Sequence, residues 1–244
     1  MRWLGSALVV MLLLALPAQA GAADRAAERA EMIRRVELEV LMLSGETGIG
    51  EIAPRILASM AEVPRDAFVP EMLRPYAYQP HPLPVGHEQN LAAPLLAALM
   101  TQLVAPEPDD VVFETGTDTG YHAALLSLLA AEVYSVEVVA PLADHAARLL
   151  KELGYDNVSV REGDGYFGWA AKGPFDAIVI KEAIDHLPPP LLQQLAPGGR
   201  MVIPLGPGRG PQYLTLVTKD AAGKLSERRI MPVRFSPLQG GERT

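Results

Sequence analysis

Between Leu95 and Leu205 the chain alternates short apolar runs with helical patterns, and this alternation restricts the fold more than any other feature. Leu95–Leu103 has helical spacing. Asp110–Glu114 (DVVFE) is a short buried strand, followed by a glycine-bounded turn and an Ala/Leu helix through Ala130. Glu132–Glu137 is the next strand, and a helix from about 141 to Leu153 follows, closed by Gly154 at its C′ position. Val158–Val160 begins a third strand that ends at Gly163-Asp164-Gly165, and Asp176–Ile180 is a fourth. Leu187–Leu195 reads as a helix and Met201–Leu205 as a fifth strand, after a Pro197-Gly198-Gly199 turn. Tyr213–Thr218 and Arg229–Phe235 look like a terminal antiparallel pair. Strands separated by helices of about 10–15 residues call for parallel crossover connections. The expected class is therefore α/β: a doubly wound, mostly parallel, seven-stranded sheet with an N-terminal helical extension and a C-terminal antiparallel pair.

Upstream of this core, residues 24–43 form an amphipathic helix in which Met32, Val36, Val40 and Leu43 recur at helical spacing, with Gly45 as its stop. A second helix is expected over 50–61. Met32, Met42 and Met60 read as packing residues. From Val63 to Pro94 seven prolines exclude regular helix or a central strand, and so long a connection is expected to form a binding surface. The first twenty residues stand apart. Arg2, an apolar run from Trp3 to Leu16, Pro17 and a small-x-small Ala18-Gln19-Ala20 have the form of a cleavable export signal. An uncleaved N-terminal anchor is the other reading of that segment. The expected organisation is 1–20 as leader, 24–94 as helices and Pro-rich segment packed on the core, and 95–240 as the core of one structural domain.

Composition narrows the function. A net charge of −8 argues against nucleic-acid partners, which need a clustered basic surface. The absence of cysteine removes thiolate metal sites and cysteine nucleophiles, and none of the five histidines pairs at i, i+4, so no metal is expected. A small organic ligand remains.

In an open α/β sheet such a ligand sits beyond the carboxyl ends of the strands. Those ends carry Glu114-Thr115-Gly116-Thr117-Asp118-Thr119-Gly120, then Glu137, then Asp164 with Gly165, then Lys181-Glu182. Gly116 and Gly120 let the backbone turn close to a ligand. Glu137, at the second strand end, is placed to accept ribose hydroxyls, which suits any adenosine-containing cofactor. Asp118 separates the candidates. A carboxylate in the turn would repel the pyrophosphate of NAD but face the cationic end of S-adenosylmethionine favourably, together with Glu114. The other reading of Asp118 is a solvated cap of the following helix.

These residues sit within a wider resemblance. The chain resembles protein-L-isoaspartate O-methyltransferases over roughly residues 28–240, in VPRDAFVPE (Val63–Glu71), AYQPHPLPVG (Ala77–Gly86), VYSVE (Val133–Glu137), LGYDNVSVREGDGYFGW (Leu153–Trp169), PFDAIVI (Pro174–Ile180) and LLQQLAPGGRMVIPLG (Leu191–Gly206). The resemblance implies a class I methyltransferase fold and esterification of the α-carboxylate of L-isoaspartyl residues in damaged proteins. It implies S-adenosylmethionine as cofactor, held by Glu114, Gly116, Thr117, Asp118 and Gly120 on the loop, Glu137 at the ribose, and Asp164 with Gly165 near the adenine. The nucleophile is already ionised at neutral pH, since its ordinary pKa lies near about 4, so no general base is needed.

Three departures cluster at the site. Where relatives carry Gly-x-Gly-Gln-Thr-Ile-Ser-x-Pro, this chain reads GHEQNLAAP from Gly86 to Pro94, with Ala92 at the family's active-site Ser, Asn90 at its Thr and Glu88 at its second Gly. Asp118 takes the place of the loop's middle glycine, and Lys181-Glu182-Ala183 that of Thr-Ala-Ala. Asn90 or His87 is then the replacement donor. Two readings follow: a monomeric repair methyltransferase, periplasmic or secreted if the leader acts (cytoplasmic, as the family is, if not), or an exported, catalytically weakened or repurposed binding protein on the same fold.

Overall fold

The computed structural model describes residues 22–208 and 210–240; the expected leader lies outside the described residues. The first helix, α1 (Ala22–Met42), buries Met32, Val36 and Val40 and leaves Leu38, Leu41 and Met42 in solvent. Met42 is 83% exposed, so it is not the packing residue its type suggested. Gly45 is not the stop either. It lies within the one-turn helix α2 (Ser44–Thr47), which ends at Gly48 with φ of 69°, a left-handed position glycine adopts without strain. Helix α3 (Pro54–Glu62) starts four residues later than expected because Pro54 fits the first helical turn, where its missing N–H is not needed.

The Pro-rich segment holds no α-helix until its last residue. It makes 3-10 turns at Arg65–Phe68 and Glu71–Tyr76, then an antiparallel hairpin of β1 (Leu83–Gly86) and β2 (Gln89–Leu91) that stays outside the main sheet. His87 and Glu88 form its two-residue connection, both at positive φ (51° and 60°), the backbone a tight hairpin demands. Glu88 takes this conformation where the resembling sequences carry glycine.

The core follows as α4 (Pro94–Val104), β3 (Val111–Thr115), α5 (Tyr121–Ser127), β4 (Glu132–Glu137), α6 (Ala140–Glu152), β5 (Val158–Glu162), β6 (Phe175–Val179), α7 (Pro189–Gln194), β7 (Leu195–Leu205), β8 (Gln212–Lys219) and β9 (Leu225–Val233). The sheet order is β5-β4-β3-β6-β7-β8-β9, parallel from β5 to β7 and antiparallel beyond. This is the seven-stranded architecture the alternation required. Two details differ. Helix α5 stops at Ser127, short of Ala130, and the Pro197-Gly198-Gly199 turn is a register irregularity within β7. One face of the sheet packs on α1, α3, α4, α5 and α6; the other is covered by α7 and by Tyr166 and Leu238. The strand order reverses between the parallel neighbours β3 and β6, so the switch point lies at the carboxyl ends of those two strands.

Candidate active site

The turn after β3 occupies that switch point. Gly116 and Gly120 have φ of 64° and 98°, and Asp118 lies between them at 53°, so the loop needs three left-handed residues and spends a side chain on one. That strain costs about 1–2 kcal/mol and recurs in functional turns. The turn is held from several sides. Glu137, 2% exposed at the end of β4, accepts from the Asp118 N–H and the Val139 N–H, each at 2.9 Å. Thr119 donates to the Phe68 carbonyl at 2.6 Å. Thr117 turns inward onto the Ser135 hydroxyl, so its side chain is structural and does not face a cofactor. Gly165 packs face-on against the Thr115 side chain, and Asp164 accepts from the Tyr166 N–H at 2.9 Å.

Glu114 was expected to face a cationic ligand beside Asp118, and it does not. It is fully buried beneath the turn, accepts from Ser135 at 2.7 Å, and pairs with the Lys181 ammonium at 3.2 Å across the β3–β6 boundary. Burial pushes the Glu114 carboxyl up and the ammonium opposes it. Burial likewise works against the charge on Lys181, but Glu114, Asp118 and Glu182 outweigh it and raise its pKa. Asp118 does point into the site. It makes no cap to α5, whose first residue is preceded by Gly120, and its carboxyl has no hydrogen-bond partner among the described residues. Burial pushes it up to about 8, against the pull of Lys181. Glu182 accepts from Thr115, lies across Gly116 so closely that a Cβ there would overlap its carboxyl, and is pushed up to about 7 by burial.

Two cavities meet at Gly116 and Glu182. One, lined by Thr115, Glu137, Val138, Gly165 and Leu238, is about 20 Å³, space for roughly one water. The other, lined by Asn90, Ala92, Asp118, Lys181 and Arg234, is about 190 Å³. The first is narrow because the C-terminal segment crosses it. Ala183 donates to the Ser236 carbonyl and accepts from Leu238, both at 2.8 Å, and Gly240 rests on the Asp164 carboxyl. Glu137, Asp164 and Gly165 thus converge on the first cavity, while Asn90 and Ala92 converge on the second.

Sequence reasoning missed Arg65. Its fully buried guanidinium donates to the Ala77 carbonyl at 2.8 Å and the Ala92 carbonyl at 2.7 Å, and lies 4.6 Å from the centre of the Tyr121 ring. It fixes Ala92 against the turn. The lone cation in an apolar stretch, VPRDAFVPE, was the available signal.

Three carboxyls (Glu114, Asp118, Glu182) gather around one buried ammonium, and Glu137 lies beside them, which suits a ligand carrying positive charge and disfavours one carrying phosphates. S-adenosylmethionine fits that donor set by charge. Its adenosine would need the 236–240 segment to move aside.

Comparison with known proteins agrees. The protein-L-isoaspartate(D-aspartate) O-methyltransferase family matches residues 41–243. The chain is 47% identical to protein-L-isoaspartate O-methyltransferase 1 of Cupriavidus necator over 96% of its own length and 91% of that protein's. It is 47% identical to protein-L-isoaspartate O-methyltransferase 2 of Syntrophobacter fumaroxidans over 97% of both. Among solved structures, a protein-L-isoaspartate O-methyltransferase superimposes with a TM-score of 0.74 at 26% identity, covering 87% of this chain and 66% of that one. The fold also matches a putative protein-L-isoaspartate O-methyltransferase from Plasmodium falciparum in complex with S-adenosyl-L-homocysteine, with a TM-score of 0.71 at 20% identity over 89% of this chain and 99% of that one. Family match, relatives and site geometry together place this chain in the protein-L-isoaspartate O-methyltransferase family.

Proposed function

We propose that the two cavities divide the work of an isoaspartyl methyltransferase: the Glu137–Gly165 side takes the adenosine, and the Ala92–Lys181 side takes the acceptor carboxylate. The cofactor is S-adenosylmethionine, which supplies an electrophilic methyl group on a sulfonium. What remains for the protein is alignment and partial desolvation, because a carboxylate acceptor arrives ionised and no proton has to be moved. The observation that carries this reading is the Asp118 carboxyl beside the Gly116 turn, which has no hydrogen-bond partner among the described residues and whose raised pKa a cationic ligand would lower.

The acceptors we assign are L-isoaspartyl residues of proteins in the periplasm or outside the cell, where the leader would deliver the enzyme. The alignment with the Syntrophobacter relative covers 97% of this chain and so runs into the leader, which supports treating that segment as part of the protein's design. A monomer is the working unit we assign. Calorimetric titration of residues 21–244 with S-adenosylmethionine, alongside methyl transfer to an isoaspartyl peptide and its aspartyl counterpart, tests the reading. Saturable binding with transfer to the isoaspartyl peptide alone is expected. Binding without transfer would favour a repurposed binding protein, and a leader that fails to export a reporter enzyme would overturn the location.

A further inference from the structure

The acceptor cavity has to hold an anion although two carboxyls, Asp118 and Glu182, already line it. It needs a donor to do so, and the threonine hydroxyls of the turn are committed: Thr115 to Glu182, Thr117 to Ser135, and Thr119 to the Phe68 carbonyl; Gln89 and the exposed Ser236 line the cavity as neutral donors without charge to set against the two carboxyls. Ala92 offers only a methyl, and Asn90 stands exposed on β2. Two cations line the cavity. Arg234 is exposed at the rim, whereas Lys181 is 9% exposed and sits at the inner end, beside the Gly116 turn. Glu114 engages the ammonium from beneath at 3.2 Å, and no other partner of that ammonium occurs among the described residues. An ammonium carries three donors, so two are left for a ligand.

We propose that Lys181 is the residue that seats the acceptor's carboxylate, contacting it directly and holding one oxygen toward the methyl donor. This rests on the reading of the acceptor as a carboxylate. Glu114 serves Lys181 from the other side, as the counter-ion that keeps an ammonium charged at a buried position. The arrangement supplies by charge the orientation that resembling sequences obtain from a hydroxyl at the position of Ala92.

The test compares Glu114→Gln with the double variant Glu114→Gln/Lys181→Met, so that no buried charge is stranded in the double variant. Isoaspartyl-peptide binding is measured calorimetrically on protein saturated with S-adenosylhomocysteine, and methyl-transfer kinetics on the same samples. Loss of the ammonium is expected to weaken peptide binding at least tenfold and raise KM correspondingly, while S-adenosylhomocysteine affinity stays within threefold. Unchanged peptide affinity overturns the proposal, as does a parallel loss of S-adenosylhomocysteine binding, which would assign Lys181 to the cofactor. A tenfold loss from Arg234→Gln with none from Lys181 would place the carboxylate at the rim instead. If the unaltered enzyme binds the peptide in a Lys181-dependent way yet transfers no methyl group, the functional reading fails and the seat stands. If it does not bind the peptide, both fail.

Discussion

Asp118 should make cofactor affinity depend on pH. Its carboxyl, pushed up to about 8, is about 1% ionised at pH 6 and about 10% at pH 7. If the ionised form is the one that accepts a cationic ligand, the apparent dissociation constant scales inversely with that fraction. Raising the pH from 6 to 7 should then tighten S-adenosylmethionine binding about tenfold, and the gain should level off above about pH 8. The sign is fixed by charge: deprotonation creates the anion that meets the sulfonium, whose own charge does not titrate. Glu182, pushed up to about 7, contributes in the same direction, and Lys181 stays charged throughout because its pKa is raised. Calorimetry at pH 6.0, 6.5, 7.0 and 7.5 (about half-unit steps across the rising part of the curve) measures the slope. Asp118→Asn should retain the pH 6 affinity and lose most of the slope, and adding Glu182→Gln should flatten the rest. A dissociation constant that stays within twofold across the range in the unaltered protein, or a slope that survives the double substitution, would refute the reasoning.

The same two carboxyls set a stability trend. Their folded pKa values lie above the unfolded values near about 4, so the folded state keeps protons that the unfolded chain releases, and their contribution is lost as pH rises through 7 and 8. The Tm of ligand-free protein should therefore fall between pH 5.5 and 8.5, and fall less in Asp118→Asn/Glu182→Gln, as followed by calorimetric scanning. Lys181→Met alone strands Glu114 at a fully buried site and should cost about 3–5 kcal/mol in urea unfolding, with most of it recovered by adding Glu114→Gln. Ala92→Ser adds a donor to the acceptor cavity and should raise kcat/KM on an isoaspartyl peptide by about tenfold or more, the worth of one hydrogen bond to a charged group (about 1.5–3 kcal/mol); no gain in a folded variant would show that orientation is already complete.

The sheet was legible because its strands are covered on both faces. Val111–Phe113 and Ala177–Ile180 are short continuous apolar runs, which suit strands covered on both faces of a doubly wound sheet. The positions of Gly116, Glu137 and Asp164 followed from the same topology, since each lies at or just past the end of a parallel strand, and Gly120 marks the start of the helix that follows the first. Side-chain direction at the strand ends was not legible. Glu114 and Asp118 are four residues apart, but one is buried beneath the turn and the other lines the cavity, and the choice is made by Lys181, 67 positions from Glu114 and just beyond the neighbouring strand β6. An isolated lysine closing one buried strand and an isolated glutamate closing another was the available signal, readable only once β3 and β6 are known to be neighbours. Gly48 rather than Gly45 stops the first helices because Gly48 is the residue whose backbone turns left-handed. The return of Ser236–Gly240 over Asp164 rests on the Ala183 pairing beyond β6, which no local pattern encodes.

The departures at 118, 181 and 182 form a single electrostatic unit. A carboxylate alone in a buried turn would carry a desolvation cost of several kcal/mol, on top of the left-handed backbone it already adopts. Lys181 supplies the opposite charge at the adjacent strand end, and it remains charged at a buried site only because Glu114, Asp118 and Glu182 surround it. Removing any one member shifts the protonation of the others, so single substitutions will understate or overstate each role, and double-mutant cycles are the measurement that separates them. The same coupling accounts for Glu182 lying between the two cavities. With its pKa pushed up to about 7, a cationic ligand settling over Gly116 should favour its ionised form, so a double-mutant cycle with Asp118 is the test of whether the two carboxyls respond to binding together.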